Sequence, residues 1–220
     1  MSESLPLENQ EIEKQLSCPD GENGIEMGQL MNETNIGMTK SSIESLDLKD
    51  QNKILELGHG NCDHLNLILN SKKEVAYYGL EISETMYSEA KSLNKNTSAK
   101  FHLYDGINIP FEDNSFDRIM TVNTIYFWSD YEALLNEIER VLKPGGSFIL
   151  TYADESFMKN LPFVGNRFRL FNKNKIQDLI SSKSNLEIAE FKDYNDQMTS
   201  KLGDRVSRHY TVAKIKKIVL

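Results

Sequence analysis

Apolar and polar positions along the chain alternate between short continuous runs and longer periodic segments. Lys53–Leu57 is a short apolar run, and the amphipathic segment over 63–71 that follows carries Leu65, Leu67, Ile68 and Leu69. This predicts a buried strand, a loop and a helix. Further strands are predicted at 75–80, 99–104, 116–122 and 147–152. Between them, Ser83 begins a helix with Met86, Ala90 and Leu93 on one face. Ser129-Asp130-Tyr131-Glu132 reads as a capping box for a helix carrying Leu134, Leu135, Ile138 and Val141, which Lys143-Pro144-Gly145-Gly146 stops. Such alternation is the pattern of a parallel sheet covered on both faces. The Phe-rich segment 154–171 interrupts it, and a helix (173–183) and strands (186–194, 208–216) complete the sheet.

Ahead of the first strand, residues 1 to about 10 read as loose. A short helix is predicted at 11–16, a turn at Cys18-Pro19-Asp20-Gly21, and two helices at 25–31 and 38–46, separated by Asn32–Gly37. Residues 1–46 thus form an N-terminal helical segment apart from a main domain over 47–220. Met27, Met31 and Met38 give the N-terminal segment an adaptable apolar face, suited either to the sheet or to a pocket wall.

Length predicts one domain, with a small cap at most. A formal net charge of -8 argues against nucleic acid as a partner, and Lys214, Lys216 and Lys217 read as a solvated strand edge. Cys18 and Cys62 are far apart in sequence and predict no disulfide. No signal-peptide pattern opens the chain and no apolar run would span a membrane, so a cytoplasmic location is expected.

The chemistry gathers at Glu56-Leu57-Gly58-His59-Gly60, where a strand ends in a carboxylate and a turn with two glycines. Such a turn lets backbone approach a ligand and aims free N–H groups at it. Dinucleotides and S-adenosylmethionine are the two ligand classes that use it. The dinucleotide fingerprint wants a third glycine where Asp63 stands, which disfavours a nicotinamide-dependent oxidoreductase.

This loop resembles motif I of the class I S-adenosylmethionine-dependent methyltransferases, and further segments match in order. Tyr78-Gly79-Leu80-Glu81-Ile82-Ser83 is similar to the second strand with its ribose-binding acid. Tyr104-Asp105-Gly106 resembles the adenine-binding turn, and Glu139–Gly146 the turn before strand five. The ubiquinone/menaquinone-type methyltransferases are the nearest in kind. The resemblance implies a doubly wound, Rossmann-like α/β sheet in order 3-2-1-4-5-7-6, with S-adenosylmethionine as cofactor and S-adenosylhomocysteine as product. It also implies that the N-terminal segment lies across the cofactor as a lid. His59 and Cys62 depart from the usual small residues of that loop.

Roles follow from the resemblance and from chemistry. Glu81 ends a strand and suits the ribose hydroxyls, with Ile82 beside it; the alternative is an exposed acid favoured by a helix start. Asp105 suits the adenine amine and the Gly106 N–H a ring nitrogen; the alternative is a turn-forming Asp-Gly. Glu56 is expected to hold the loop or the methionine amino group; Gly58 and Asn123 are candidates for the methionine part, Asn123 alternatively only starting a loop, and Gly60 for the loop backbone. His59 reads as a packing residue of that site rather than a base, and His64 and His102 as structural. No histidine, cysteine or acid spacing predicts a metal. Tyr126, Trp128 and Phe163, with the segment 154–171 as cap, are expected around a small, apolar or aromatic methyl acceptor. The function expected is methyl transfer to that acceptor by direct displacement; a cofactor-binding protein without transferase activity is the alternative.

Overall fold

In the computed structural model, which describes residues 7–199 and 205–219, one seven-stranded sheet runs through the molecule. Its strands are β1 (Lys53–Leu57), β2 (Ala76–Glu81), β3 (Lys100–Leu103), β4 (Phe116–Val122), β5 (Leu142–Ala153), β6 (Leu186–Thr199) and β7 (Arg205–Lys217). The order is β3-β2-β1-β4-β5-β7-β6, with β1 to β5 parallel and β7 antiparallel to both neighbours. Strand order therefore reverses between β1 and β4, and the crevice at their carboxyl ends is where open sheets of this kind take ligands. Ile54, Leu55 and Leu57 are all buried, because β1 is covered on both faces.

Helices α1 (Leu7–Ser17), α2 (Gly21–Leu46), α3 (Leu65–Leu69), α4 (Glu84–Leu93), α5 (Tyr131–Val141), α6 (Glu155–Met158) and α7 (Lys173–Ser181) flank the sheet. Ser83 caps α4 by accepting from the Met86 N–H, as its sequence predicts. The cap of α5 is Asp130, which accepts from the Ala133 N–H, rather than a box opened by Ser129. Leu93 is 54% exposed and takes no part in the core expected of its helix face.

The largest departure from the sequence reading is α2, one helix of 26 residues where two were expected. The polar stretch over 32–37 stays helical because its side chains find distant partners. Asn32 donates to Asp63, and Asn35 accepts from Arg208. Gly37 adjoins the Asp196 carboxylate, so closely that a Cβ there would stand 2.8 Å from it. Of the residues expected to be loose, 7–10 begin α1, and 1–6 lie outside the described residues. The C-terminal strands also run longer than their periodicity predicts. β5 pairs with β7 only as far as Tyr210, while β6 follows β7 back to Arg205, so a two-stranded extension overreaches the sheet edge towards α2.

α2 is bolted to the sheet by apolar and polar contacts together. Met38 and Leu46 are fully buried. The Ser42 hydroxyl lies 2.6 Å from that of Thr151 on β5, and Ser41 lies 2.9 Å from the Tyr210 hydroxyl on β7. A buried hydroxyl left without its partner costs about 1–3 kcal/mol. Ser42→Ala is accordingly expected to lower stability by about that amount. Adding Thr151→Val should cost less than the sum of the two single changes, since it removes the orphaned partner. Urea midpoints of the four proteins measure this, and simple additivity would show that the two hydroxyls do not depend on each other.

Candidate functional site

The glycine loop leaves β1 with Gly58 at φ +69°, and the Gly58 N–H donates to Leu80 O (2.8 Å), which ties the loop to β2. A side chain at 58 would run into the Thr124 methyl, so both conformation and space call for glycine there. Glu81 ends β2 with its carboxylate almost wholly buried. One oxygen accepts from the Gly60 N–H (2.9 Å), and the other from the Ile82 and Ser83 N–H groups (2.8 and 3.1 Å). A single side chain thus joins the loop after β1 to the start of α4.

Beneath the loop is a buried polar knot that the sequence does not reveal. Glu56 accepts from the Tyr77 hydroxyl (2.6 Å), and His64 Nε2 lies 3.0 and 3.1 Å from the two Glu56 oxygens. The Cys62 thiol joins at 3.2 Å from the Tyr77 oxygen. Burial works against charge on both Glu56 and His64. Their mutual attraction and hydrogen bonds, with the Tyr77 bond added, outweigh it: the Glu56 pKa is lowered and the His64 pKa raised. Glu56, Cys62 and His64 also bring potential metal-ligand atoms within 4.8 Å of one another, although each already has a hydrogen-bond partner.

His59 is held by packing at the edge of the loop. Its Nδ1 donates to Gly60 O (2.7 Å), its ring edge meets Phe101 at 5.0 Å, and its Nε2 is buried without a partner. The ring rests on Gly79, where an added Cβ would stand 2.5 Å from it. Burial lowers its pKa despite nearby Glu81 and Glu56, which keeps the imidazole neutral. Asp105 is exposed and holds its own turn. It accepts from the Asn108 amide side chain and from the N–H groups of Ile107 and Asn108, which keep its carboxyl below the usual range. Asn123 has φ +59°; its side-chain oxygen accepts from the Tyr126 hydroxyl and its amide meets the Met38 sulfur.

Glu56, Gly58, His59, Gly60, Glu81, Ile82, Asp105, Gly106 and Asn123 all line one cavity of about 340 Å³ at the carboxyl edge of the sheet. Leu16, Met31, Asn35 and Thr39 from the N-terminal helices, with Pro19 from the link between them, also line it. Met27 is not among the lining residues, and Met38 is core. Ile82 presents an unusually exposed apolar side chain to the cavity (42%).

The aromatic set expected around one pocket is divided. Trp128 lines the large cavity and donates from Nε1 to Thr124 (3.0 Å). Tyr126 and Phe163 line a second, smaller cavity of about 80 Å³ with Phe157, Met158, Leu161 and Phe168. Leu16, Met31, Asn35, Asn123 and Phe127 border both cavities. Arg208, on the overreaching part of β7, closes the small cavity and was not expected there from its sequence surroundings.

Comparison with known proteins agrees with this geometry. Residues 55–150 match the family described as a methyltransferase domain. Demethylmenaquinone methyltransferase of Staphylococcus haemolyticus is 31% identical over 139 residues, 61% of this chain and 56% of its own length. Fatty-acid O-methyltransferase of Mycolicibacterium smegmatis is 24% identical over 123 residues, 56% of this chain and 44% of its own. The chain thus spans about half the length of these curated relatives. Among solved structures, the PH0226 protein of Pyrococcus horikoshii superposes with a TM-score of 0.65 at 17% identity, covering 92% of this chain and 95% of its own. YcgJ of Bacillus subtilis superposes at 0.64 and 17% identity, covering 84% and 100%. These two share the fold. No helix among the described residues is long and apolar enough to cross a membrane.

The Glu56–His64 pair gives stability a defined pH window. Glu56 sits below its ordinary 4.5, so its contribution is present above pH 4.5 and fades as pH falls through the lowered value. His64 sits above its ordinary 6.5, so its contribution is complete below pH 6.5 and fades as pH rises through the raised value. His64→Gln is therefore expected to depress the urea midpoint most within that window and less at about pH 9. A difference from the parent protein that stays constant from about pH 5 to about pH 9 would count against a charged pair.

Proposed function

We propose that this chain, which belongs to the class I S-adenosylmethionine-dependent methyltransferases, transfers the methyl group of that cofactor to a small, largely apolar molecule. The observation that carries the reading is the large cavity, where a glycine loop and strand-end acids meet at the point where strand order reverses. Its residues fit the cofactor chemically. Glu81 and Asp105 offer acceptor oxygens to hydroxyl and amino donors, Ile82 offers an exposed apolar face to a ring, and at Gly60 the turn leaves open space where a side chain would stand.

In this reading Glu81 takes the ribose hydroxyls, its charge and orientation held by the backbone N–H groups it already accepts from. Asp105, Gly106 and Ile82 take the adenine. Gly58 and Asn123 take the methionine part, while Glu56 acts on the loop through His64 and Tyr77. His59 supports the loop from below. α1 and the first half of α2 cover the cofactor, with Met31 and Asn35 on the wall. The bound cofactor supplies a methyl already activated on a sulfonium. What the chain adds is an approach path, exclusion of water, and the aromatic faces of Phe127 and Trp128 where positive charge would sit. The acceptor occupies the smaller cavity under the segment 154–171 and meets the cofactor across Asn35, Asn123 and Phe127. Two relatives named for a fatty acid and for demethylmenaquinone are in keeping with an apolar acceptor.

Glu81→Ala tests the cofactor half of this reading. Losing hydrogen bonds to a charged acceptor, worth about 1.5–3 kcal/mol, should weaken S-adenosylmethionine binding about tenfold to a hundredfold. Glu81→Gln should fall between. Calorimetry on folded protein reads the effect, with NADH as a control expected to bind far more weakly. Unchanged affinity in a folded Glu81→Ala variant would remove the assignment.

A further inference from the structure

We infer that the methyl acceptor is a carboxylate and that Arg208 is the residue selecting it. The inference rests on the reading that the smaller cavity is the acceptor site. Two observations carry it: no side chain free to accept a proton among the described residues lining that cavity, and a buried guanidinium with donors to spare.

Methylating a neutral hydroxyl or amine leaves a proton that some group must take. Among the described residues lining the small cavity, the titratable side chains are Tyr126 and Arg208. Tyr126 is held protonated by burial, and its hydroxyl is spent on Asn123 and the Ala153 backbone. The acids and imidazoles of the adjoining cavity do not line the smaller one. Glu56 and His64 are paired with each other, Glu81 accepts from three backbone N–H groups, and His59 Nε2 is buried where its ring rests on Gly79. Asp105 is exposed and bound into its own turn. An acceptor that arrives already ionised needs none of them.

Arg208 is 3% exposed and lines the small cavity, bonded to Asn35, which borders both cavities. Its Nε and Nη2 donate to Asp196, and Nη1 donates to Asn35 (2.9 Å). That leaves an N–H on each terminal nitrogen without a partner among the described residues. Two such donors match a carboxylate, and the rest of the wall is apolar. The electron balance is simple. A carboxylate oxygen forms the new C–O bond with a pair it already carries, the methyl–sulfur bond breaks with its pair left on sulfur, and no proton is released. Sulfonium and carboxylate become two neutral products, a change that a desolvated cavity favours.

The test uses the full chain loaded with S-adenosylhomocysteine, and hexanoate and benzoate as probes against hexanol and benzyl alcohol. Calorimetry should show the acids binding at least tenfold tighter than the alcohols. Arg208→Gln should erase that preference and leave alcohol and cofactor binding within about threefold. Arg208→Lys, which keeps a cation beside Asp196 but loses the planar fork, should fall between. Independently of any variant, turnover of a methylated acid in weak buffer with a pH indicator should release no proton per ester formed. Acids and alcohols binding alike, or one proton released per turnover, would overturn the inference. Failure to bind S-adenosylmethionine at all would overturn the cofactor reading beneath it, whereas cofactor binding without preference for acids defeats this inference alone.

Discussion

Two parallel strands that part company leave backbone ends pointing into the same crevice, and something must hold those ends in register. Here it is the Glu81 carboxylate, which gathers N–H groups from the loop after β1 and from the start of α4. Because each oxygen is engaged by backbone, the carboxylate has little rotamer freedom left to lose when a ligand donates to it. The residue that would recognise ribose is thus also the one that shapes the cavity. Its removal would act on the loop as well as on the ligand, which is why the isosteric amide matters as a second variant.

Below this lies a different solution to a similar problem. Glu56 is buried at the end of a core strand, a position that costs several kcal/mol unless the charge is paired. His64, Tyr77 and Cys62 close around it, and His64 stands just before a helix only five residues long. α3 buries Leu65 and Ile68 in the core, and the ion pair at its start gives it a polar anchor as well. Loop geometry above and helix position below are therefore both set by carboxylates, one satisfied by backbone and the other by side chains.

The strands and their terminal acids were legible in the sequence because each depends on local pattern: continuous apolar runs for strands covered on both faces, and an acid at the point where a run ends. What depends on distant partners was not. Asn32, Asn35 and Gly37 look locally like a break, yet they stay helical because Asp63, Arg208 and Asp196 meet them from elsewhere in the chain. His64 looked structural, but its partner was hidden: Glu56 stands at i−8 across a loop, a spacing that no helical or strand period connects. Arg208 lay unnoticed because its role depends on how far β7 outruns β5, which pairing decides and composition does not. Tyr126 lies in a short 3-10 turn (Ile125–Phe127) and Trp128 just past its end, and the two face different cavities, a separation that their closeness in sequence hides.

The overreaching β6–β7 extension also sets the order in which the molecule can be completed. Asn35 on α2 and Arg208 on β7 are 173 positions apart, and the sheet between them must be largely assembled before they can meet. Closing so long a stretch is entropically expensive until other contacts have been made, so this joint belongs to the late steps of folding. On a ribosome, the glycine loop and its acids would leave the exit tunnel and begin to organise while the guanidinium was still unmade. The strands that build the large cavity would thus be made before the arginine that borders the small one.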